Sequence, residues 1–224
     1  VVAPWNYPFQ LAIIPLVNAI AAGNRVMLKP SEFTPKVSAL LEKILSDVFS
    51  DGEVAVVHGD AAVGAAFSQL PFGHLLFTGS TAVGKHVMAA AAGNLTPVTL
   101  ELGGKSPALV TDGYSVEQAA ERLAFGKCFN AGQTCVAPDY VLLPEAHLEQ
   151  FITAFMGSIK RRYPDMTHDD NYTSIINARQ FERLQFLVDD AKAAGVRIVA
   201  YETGASAEQA ATLKMMAPTL LVNP

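Results

Sequence analysis

Cys135 stands in the stretch "FNAGQTCVAP", residues 129–138, among Gly, Gln and Thr and just before a proline. Small polar neighbours place this thiol on an exposed turn rather than in a core, and an exposed thiolate is a nucleophile for an electrophilic carbon. Four other short stretches carry polar groups that chemistry could use. In "PWNYP", Asn6 lies between two prolines that stiffen it, so its amide could donate to a developing oxyanion; an Asn in such a turn also has purely local uses. In "LKPSE", Lys29 and Glu32 follow a strand, on the ligand side of a parallel sheet, and could bind ribose hydroxyls or form a surface turn with a helix cap. In "FTGSTAVGKH", Gly79 and Ser80 join a strand to a helix whose first N–H groups could face an anion, as could those of any ordinary strand–helix turn. In "ELGGKSP", Glu101 precedes Gly103 and Gly104 and is either a general base or a capped surface acid.

The stretch around Gly79 also approaches a Walker A loop, with Gly79, four residues, Gly84 and Lys85. The next position of that motif must carry a hydroxyl to hold magnesium, and here it is His86. A nucleotide hydrolase is therefore the rival reading, with a non-catalytic binding module as a third.

The first hundred residues alternate between β-branched runs and Ala/Leu-rich stretches, with Pro, Gly or Ser between them. Strands are predicted at "VVAP", "RVMLKP", "EVAVVHG", "HLLFTG" and "PVTLEL", and helices at about 9–22, 35–49, 60–69 and 80–92. This is a repeated βα rhythm and predicts a parallel sheet covered on both faces. Thr34 is the expected N-cap before Pro35. Beyond residue 103 the rhythm loosens. There the pattern predicts a strand "ALVT", a helix over about 115–126, a strand "DYVLLP", helices over about 145–162 and 178–194 around a polar loop "YPDMTHDDNYTS", and strands "RIVA" and "APTLLVNP".

The chain has 224 residues, half of them hydrophobic, with 16 Lys plus Arg and a net charge of -5. That charge argues against a nucleic-acid partner. Two cysteines in this length make no disulfide framework, so a reduced, cytoplasmic compartment is expected. The run "FQLAIIPLVNAIAAG" is too short and too interrupted to span a bilayer, and is expected to be a buried helix. The five His lack metal-ligand spacing, so no metal is expected. Both ends open or close on strands without polar tails, which predicts a piece of a longer protein that turns over no substrate alone.

Taken in order, the strand-end Asn, the Lys with Glu three residues on, the Gly-Ser turn, the Glu before Gly-Gly and the Gly-Gln-Thr-Cys segment resemble the aldehyde dehydrogenase superfamily. The wording "GQTCVAPDYVLLP", "KPSEFTPKVSALL" and "YTSIIN" is most similar to its coniferyl aldehyde dehydrogenase branch. The resemblance implies an α/β fold, with part of a Rossmann-type parallel-sheet cofactor domain over 1–102 and part of an α/β catalytic domain over 103–224. It implies oxidation of an aldehyde, aromatic in this branch, to the acid through a thiohemiacetal and a thioester. Cys135 then matches the nucleophile, Glu101 the base for deacylation and Asn6 the oxyanion donor, joined by the backbone N–H of Cys135. Lys29 and Glu32 match the adenosine-ribose binders, Gly79 and Ser80 the pyrophosphate turn, and Trp5 the strand-end segment beside the cofactor. Cys128 matches no role and is expected to be a core thiol. Glu32 favours NAD, since a carboxylate repels a 2′-phosphate, with NADP use possible in relatives that carry it. Family members are roughly double this length. The resemblance therefore places a further ribose-binding segment and the strands of a homodimer or homotetramer outside this chain.

His86 separates the rival readings experimentally. The full-length protein should reduce NAD with an aromatic aldehyde such as coniferaldehyde, without magnesium, and release no phosphate from ATP. Magnesium-dependent phosphate release that disappears in Lys85→Ala would reverse this expectation.

Overall fold

The computed structural model describes residues 1–168 and 171–224; Asp169 and Asp170 of the expected polar loop lie outside the described residues. The chain forms two compact units, Val1–Gly103 and Gly104–Pro224.

The first unit runs α1 (Gln10–Ala21), β1 (Val26–Leu28), α2 (Pro35–Ser46), β2 (Val54–Val56), α3 (Ala61–Ser68), β3 (Leu75–Thr78), α4 (Thr81–Ala92) and β4 (Val98–Glu101). Strands β1 and β2 pair in parallel, as do β3 and β4. The expected strand "VVAP" is reduced to one residue, Val2, which makes parallel bridges to both Lys29 and Phe77. Its backbone nevertheless bonds on both sides. The Val2 N–H donates to Leu76 O at 2.8 Å and Val2 O accepts from Thr78 N–H at 3.1 Å, while Ala3 N–H donates to Lys29 O at 3.0 Å. Spatial order is therefore β4-β3-Val2-β1-β2, all parallel, and every strand ends on the same edge of the sheet.

Side chains of α1 and α2 close one face over β1 and β2, with Leu16, Leu28, Leu41 and Leu45 buried together. A smaller cluster of Leu75, Phe77 and Val87 lies under α4. Helix α1 departs from its expected burial: it buries Ala12 and Leu16, while Ile14 and Val17 remain about half exposed. One stripe faces the strands, and the sequence is apolar all round. The N-cap of α2 also differs. Thr34 occupies the position without a side-chain cap bond, because its hydroxyl turns back to Ser31 O at 3.4 Å. Asp60 does cap α3, its Oδ1 accepting from Ala62 and Val63 N–H.

The second unit runs β5 (Ser106–Leu109), α5 (Val116–Cys128), β6 (Pro138–Leu142), α6 (Leu148–Arg162), α7 (Ala178–Ala193), β7 (Arg197–Ala200), α8 (Ala207–Leu213) and β8 (Thr219–Val222). Strands β5 and β6 are parallel, and β7 and β8 antiparallel. Its core is two stripes with a spacing of four residues. Val116, Ala120, Ala124 and Cys128 on α5 meet Phe151, Phe155 and Ile159 on α6, all buried. Residues spaced by four share a helix face, and the small alanines admit the phenyl rings.

Two element starts and one further helix differ from expectation in this unit. Strand β5 begins two residues before "ALVT" and includes Pro107; a register shift between Ser106 and Pro107 absorbs the missing N–H. The helix expected from 145 starts as a 3-10 turn, Glu145–His147, and becomes α-helical at Leu148. Helix α8 has no counterpart in the sequence reading. It is seven residues long with no buried position, so no apolar stripe announces it, although Ser206 caps it through Gln209 N–H at 3.1 Å. Among the described residues, no helix is long and apolar enough to cross a membrane.

Neighbouring leucines of α2 test this packing. Leu41 is fully buried, whereas Leu40 is 51% exposed. In urea unfolding of the chain, Leu41→Ala should cost about 2–5 kcal/mol, and Leu40→Ala should stay within about 0.5 kcal/mol of the parent.

Candidate active site

In the first unit the parallel order brings the expected residues to one sheet edge. Lys29 directly follows β1, Gly79 follows β3, Glu101 ends β4, and Trp5 and Asn6 follow the Val2 seam. The register pairs Thr78 with Glu101, and the next residue, Gly79, donates its N–H to Glu101 O at 2.9 Å. The exposed Glu101 side chain thus starts from a backbone fixed by the ladder. Asn6 is half-buried, in the bend that leads into α1.

Lys29 is 4% exposed, although it is a lysine. Its ammonium is 3.5 Å from the Glu32 carboxylate and donates to Pro30 O at 3.4 Å. Its stem runs past Gly64 of α3, where a Cβ would lie 3.4 Å from Lys29 Cε. The stem is buried while the ammonium head is paired.

Gly79 is needed for space. A Cβ there would come within 2.5 Å of Phe77 Cζ, and Gly84 in the second turn of α4 has Leu102 at 2.8 Å. Ser80 is the N-cap, its Oγ accepting from Val83 N–H at 3.3 Å. Because α4 is helical from Thr81, residues 81–84 cannot form the open loop of a Walker A motif, and Lys85 is exposed on the helix. The near-match is an ordinary capped helix start with its hydroxyl position missing.

In the second unit, α5 ends at Cys128 and the chain reverses through a turn that carries Cys135. Asn130, Ala131 and Gly132 all adopt left-handed backbone, at φ 52°, 51° and 75°. Only the third is glycine; asparagine takes this conformation readily, whereas Ala131 is held there against a cost of about 1–2 kcal/mol. Gly104 permits the closest approach, since a Cβ on it would lie 2.5 Å from the Cys135 carbonyl oxygen. The residue so closely approached is the one that carries the thiol.

Gln133 is the residue whose part the sequence reading missed. Its Nε2 donates to Asn130 O at 3.2 Å and to Ser174 O at 3.1 Å, and its Oε1 accepts from Ile176 N–H at 2.9 Å. Glutamine two residues before an exposed thiol was a signal, but its partners lie 41 and 43 residues on. The two thiols differ sharply. Cys135 is exposed, while Cys128 is 3% exposed in the α5–α6 core. Burial pushes the Cys128 thiol up to about 11, against the lowering effect of nearby Lys127 and Arg162.

The model of the aldehyde dehydrogenase family matches residues 1–224. A relative named a probable coniferyl aldehyde dehydrogenase, from Pseudomonas aeruginosa, is 56% identical over 199 residues, covering 89% of this chain and 42% of its own length. The solved structure of Staphylococcus aureus AldH in a substrate-bound state superposes with a TM-score of 0.88 at 39% identity, over 98% of this chain and 46% of that one. A Mycobacterium tuberculosis aldehyde dehydrogenase complexed with NAD+ gives a TM-score of 0.80 at 29% identity, over 88% and 42%. The chain spans less than half the length of these relatives.

The contrast between the thiols is testable directly. With its acidity pushed to about 11, Cys128 is thiolate in about one molecule in ten thousand at pH 7, and it is buried besides. Iodoacetamide at neutral pH should alkylate Cys135 first, as read by peptide mapping. Earlier labelling of Cys128 would contradict the assignment of an exposed and a core thiol.

Proposed function

The chain belongs to the aldehyde dehydrogenase family, and from that premise we propose that its full-length protein oxidises an aldehyde to the carboxylic acid with a nicotinamide dinucleotide, Cys135 being the nucleophile. The observation that carries this reading is the family match across all 224 residues, within which Cys135 is the exposed thiol. The name of the Pseudomonas aeruginosa relative supports an aromatic substrate of the coniferaldehyde kind.

The residues at the sheet edge fit a dinucleotide. A twelve-residue helix opens directly after Gly79 and Ser80, so its positive end suits a pyrophosphate, and the bare Gly79 Cα leaves room for close approach. The Glu32 carboxylate can accept from ribose hydroxyls, while the Lys29 ammonium beside it, 3.5 Å away, can donate to them. The same carboxylate repels a 2′-phosphate, which favours NAD over NADP. Trp5 lies on the same edge, after the Val2 seam. On this reading residues 1–102 form part of the cofactor domain and 103–224 part of the catalytic domain. The bound nicotinamide supplies the hydride acceptor.

The chain's own groups carry the rest. The Cys135 thiolate adds to the aldehyde carbon, forming a C–S bond and placing negative charge on the former carbonyl oxygen. The Asn6 amide and the Cys135 backbone N–H stabilise that charge. Once hydride has left, the carbon is a thioester on Cys135. Glu101 then takes a proton from water, whose oxygen attacks the thioester and releases the acid and the thiolate. A carboxylate in this role favours hydrolysis over transfer to another thiol. The full-length protein is expected to assemble as a homodimer or homotetramer.

Glu101→Gln in the full-length protein tests the reading. It should leave a burst of NADH near one equivalent per site, followed by a steady rate lower by about 10²- to 10⁴-fold. Mass spectrometry should find the acyl group on the Cys135 peptide. An unchanged steady rate would make Glu101 a structural acid, and a lost burst would give it a part in activating the thiol.

A further inference from the structure

Between Cys128 and Cys135 the backbone takes a path that Ala131 disfavours. Asn130 and Ala131 lie in the left-handed region at φ 52° and 51°; asparagine tolerates it, but the Cβ of an alanine crowds the backbone there. Some interaction must outweigh that preference, or the turn would relax and carry the thiol with it.

Gln133 is placed to do so. Its amide group engages three backbone partners, the carbonyls of Asn130 and Ser174 and the N–H of Ile176. Both amide hydrogens and the amide oxygen are thereby used, so the side chain has one satisfied orientation. The Asn130 side chain answers by donating to Gln133 O at 3.3 Å, and Gln133 N–H bonds to Asn130 O at 3.0 Å. These bonds tie the left-handed residues to the start of the thiol turn.

The far anchor is itself hydrogen-bonded to the rest of the unit. Tyr172 is buried and donates from its hydroxyl to Met216 O at 2.8 Å. Ile175 is 2% exposed, and its N–H donates to Lys214 O at 2.8 Å. Segment 174–176 is therefore tied to the 214–216 stretch through Tyr172 and Ile175, and Gln133 is the hydrogen-bonded bracket between it and the turn.

We infer that Gln133 is a positioning residue for Cys135, holding the strained turn against segment 174–176 so that the rate of thiolate attack depends on it. The inference rests on the proposed role of Cys135 as nucleophile. It goes beyond that role in naming what keeps the thiol in place.

The test uses the full-length enzyme with NAD and coniferaldehyde. Gln133→Met keeps the length of the side chain and removes all three bonds, while Gln133→Glu keeps the acceptor for Ile176 N–H and loses both donations. Gln133→Met should slow the NADH burst by about 10²-fold, the effect of a misplaced reacting group. It should slow alkylation of Cys135 as well, with KM for NAD and the thermal midpoint near those of the parent. Gln133→Glu should fall between the two. Adding Ala131→Gly removes the Cβ crowding in the turn and should restore roughly tenfold of the lost burst rate. A burst rate within twofold of the parent in Gln133→Met would overturn the inference. So would a loss that follows the thermal midpoint and that Ala131→Gly does not repair, since that is a structural role alone. A burst that survives Cys135→Ser would remove the nucleophile assignment, and this inference with it.

Discussion

The hydrogen bonds on either side of Val2 are the constraint on which the first unit depends. Without them β1–β2 and β3–β4 are two separate parallel pairs, each too small to be stable alone. With them the Val2 segment becomes the middle of a five-strand parallel order. Parallel pairing then has a geometric consequence. Every strand ends at the same edge, so residues far apart in sequence, Asn6, Lys29, Gly79 and Glu101, arrive there together. Helices α1 and α2 pack on the β1–β2 side and α4 on the β3 side.

The second unit solves a different problem, that of keeping a thiol exposed without letting its loop wander. Cys128 and Cys135 show the two fates of the same side chain seven residues apart. Cys128 completes a stripe with a spacing of four residues and is desolvated among alanines and phenylalanines, which raises the cost of its thiolate. Cys135 lies past a left-handed reversal that lifts the chain off the helix face. Gly104 lets β5 begin hard against the thiol's carbonyl, so the turn is held from one side by close backbone contact and from the other by the Gln133 amide.

Lys29 illustrates how electrostatics and packing are joined in the same place. An unpaired buried ammonium would lose its hydration with nothing in return. Here the neighbouring Glu32 and the Pro30 carbonyl replace part of that hydration, and Gly64 of α3 makes room for the stem.

Much of this was legible in the residues themselves. Local signals marked the alternation of apolar runs with Pro, Gly and Ser, the Gly-Ser turn at Gly79 and Ser80, and the small polar neighbours that put Cys135 on a turn. They depend on backbone preferences and periodicity within a few residues. Other features were out of reach because their causes are distant. Val2 becomes a sheet centre only when residues 29 and 77 flank it, and the cap at Thr34 fails only because Ser31 O competes for its hydroxyl. Gly79 is required by the Phe77 ring, and α8 has no buried stripe to reveal it. Ala131 has no local reason to be left-handed, and Gln133 has no local reason to matter, until Ser174 and Ile176 are brought beside it. The sequence by itself determined which elements form and which groups are chemically able. The tertiary structure decided which of those groups are buried, paired or held under strain, because desolvation, steric contact and hydrogen bonding act between residues that only folding makes neighbours.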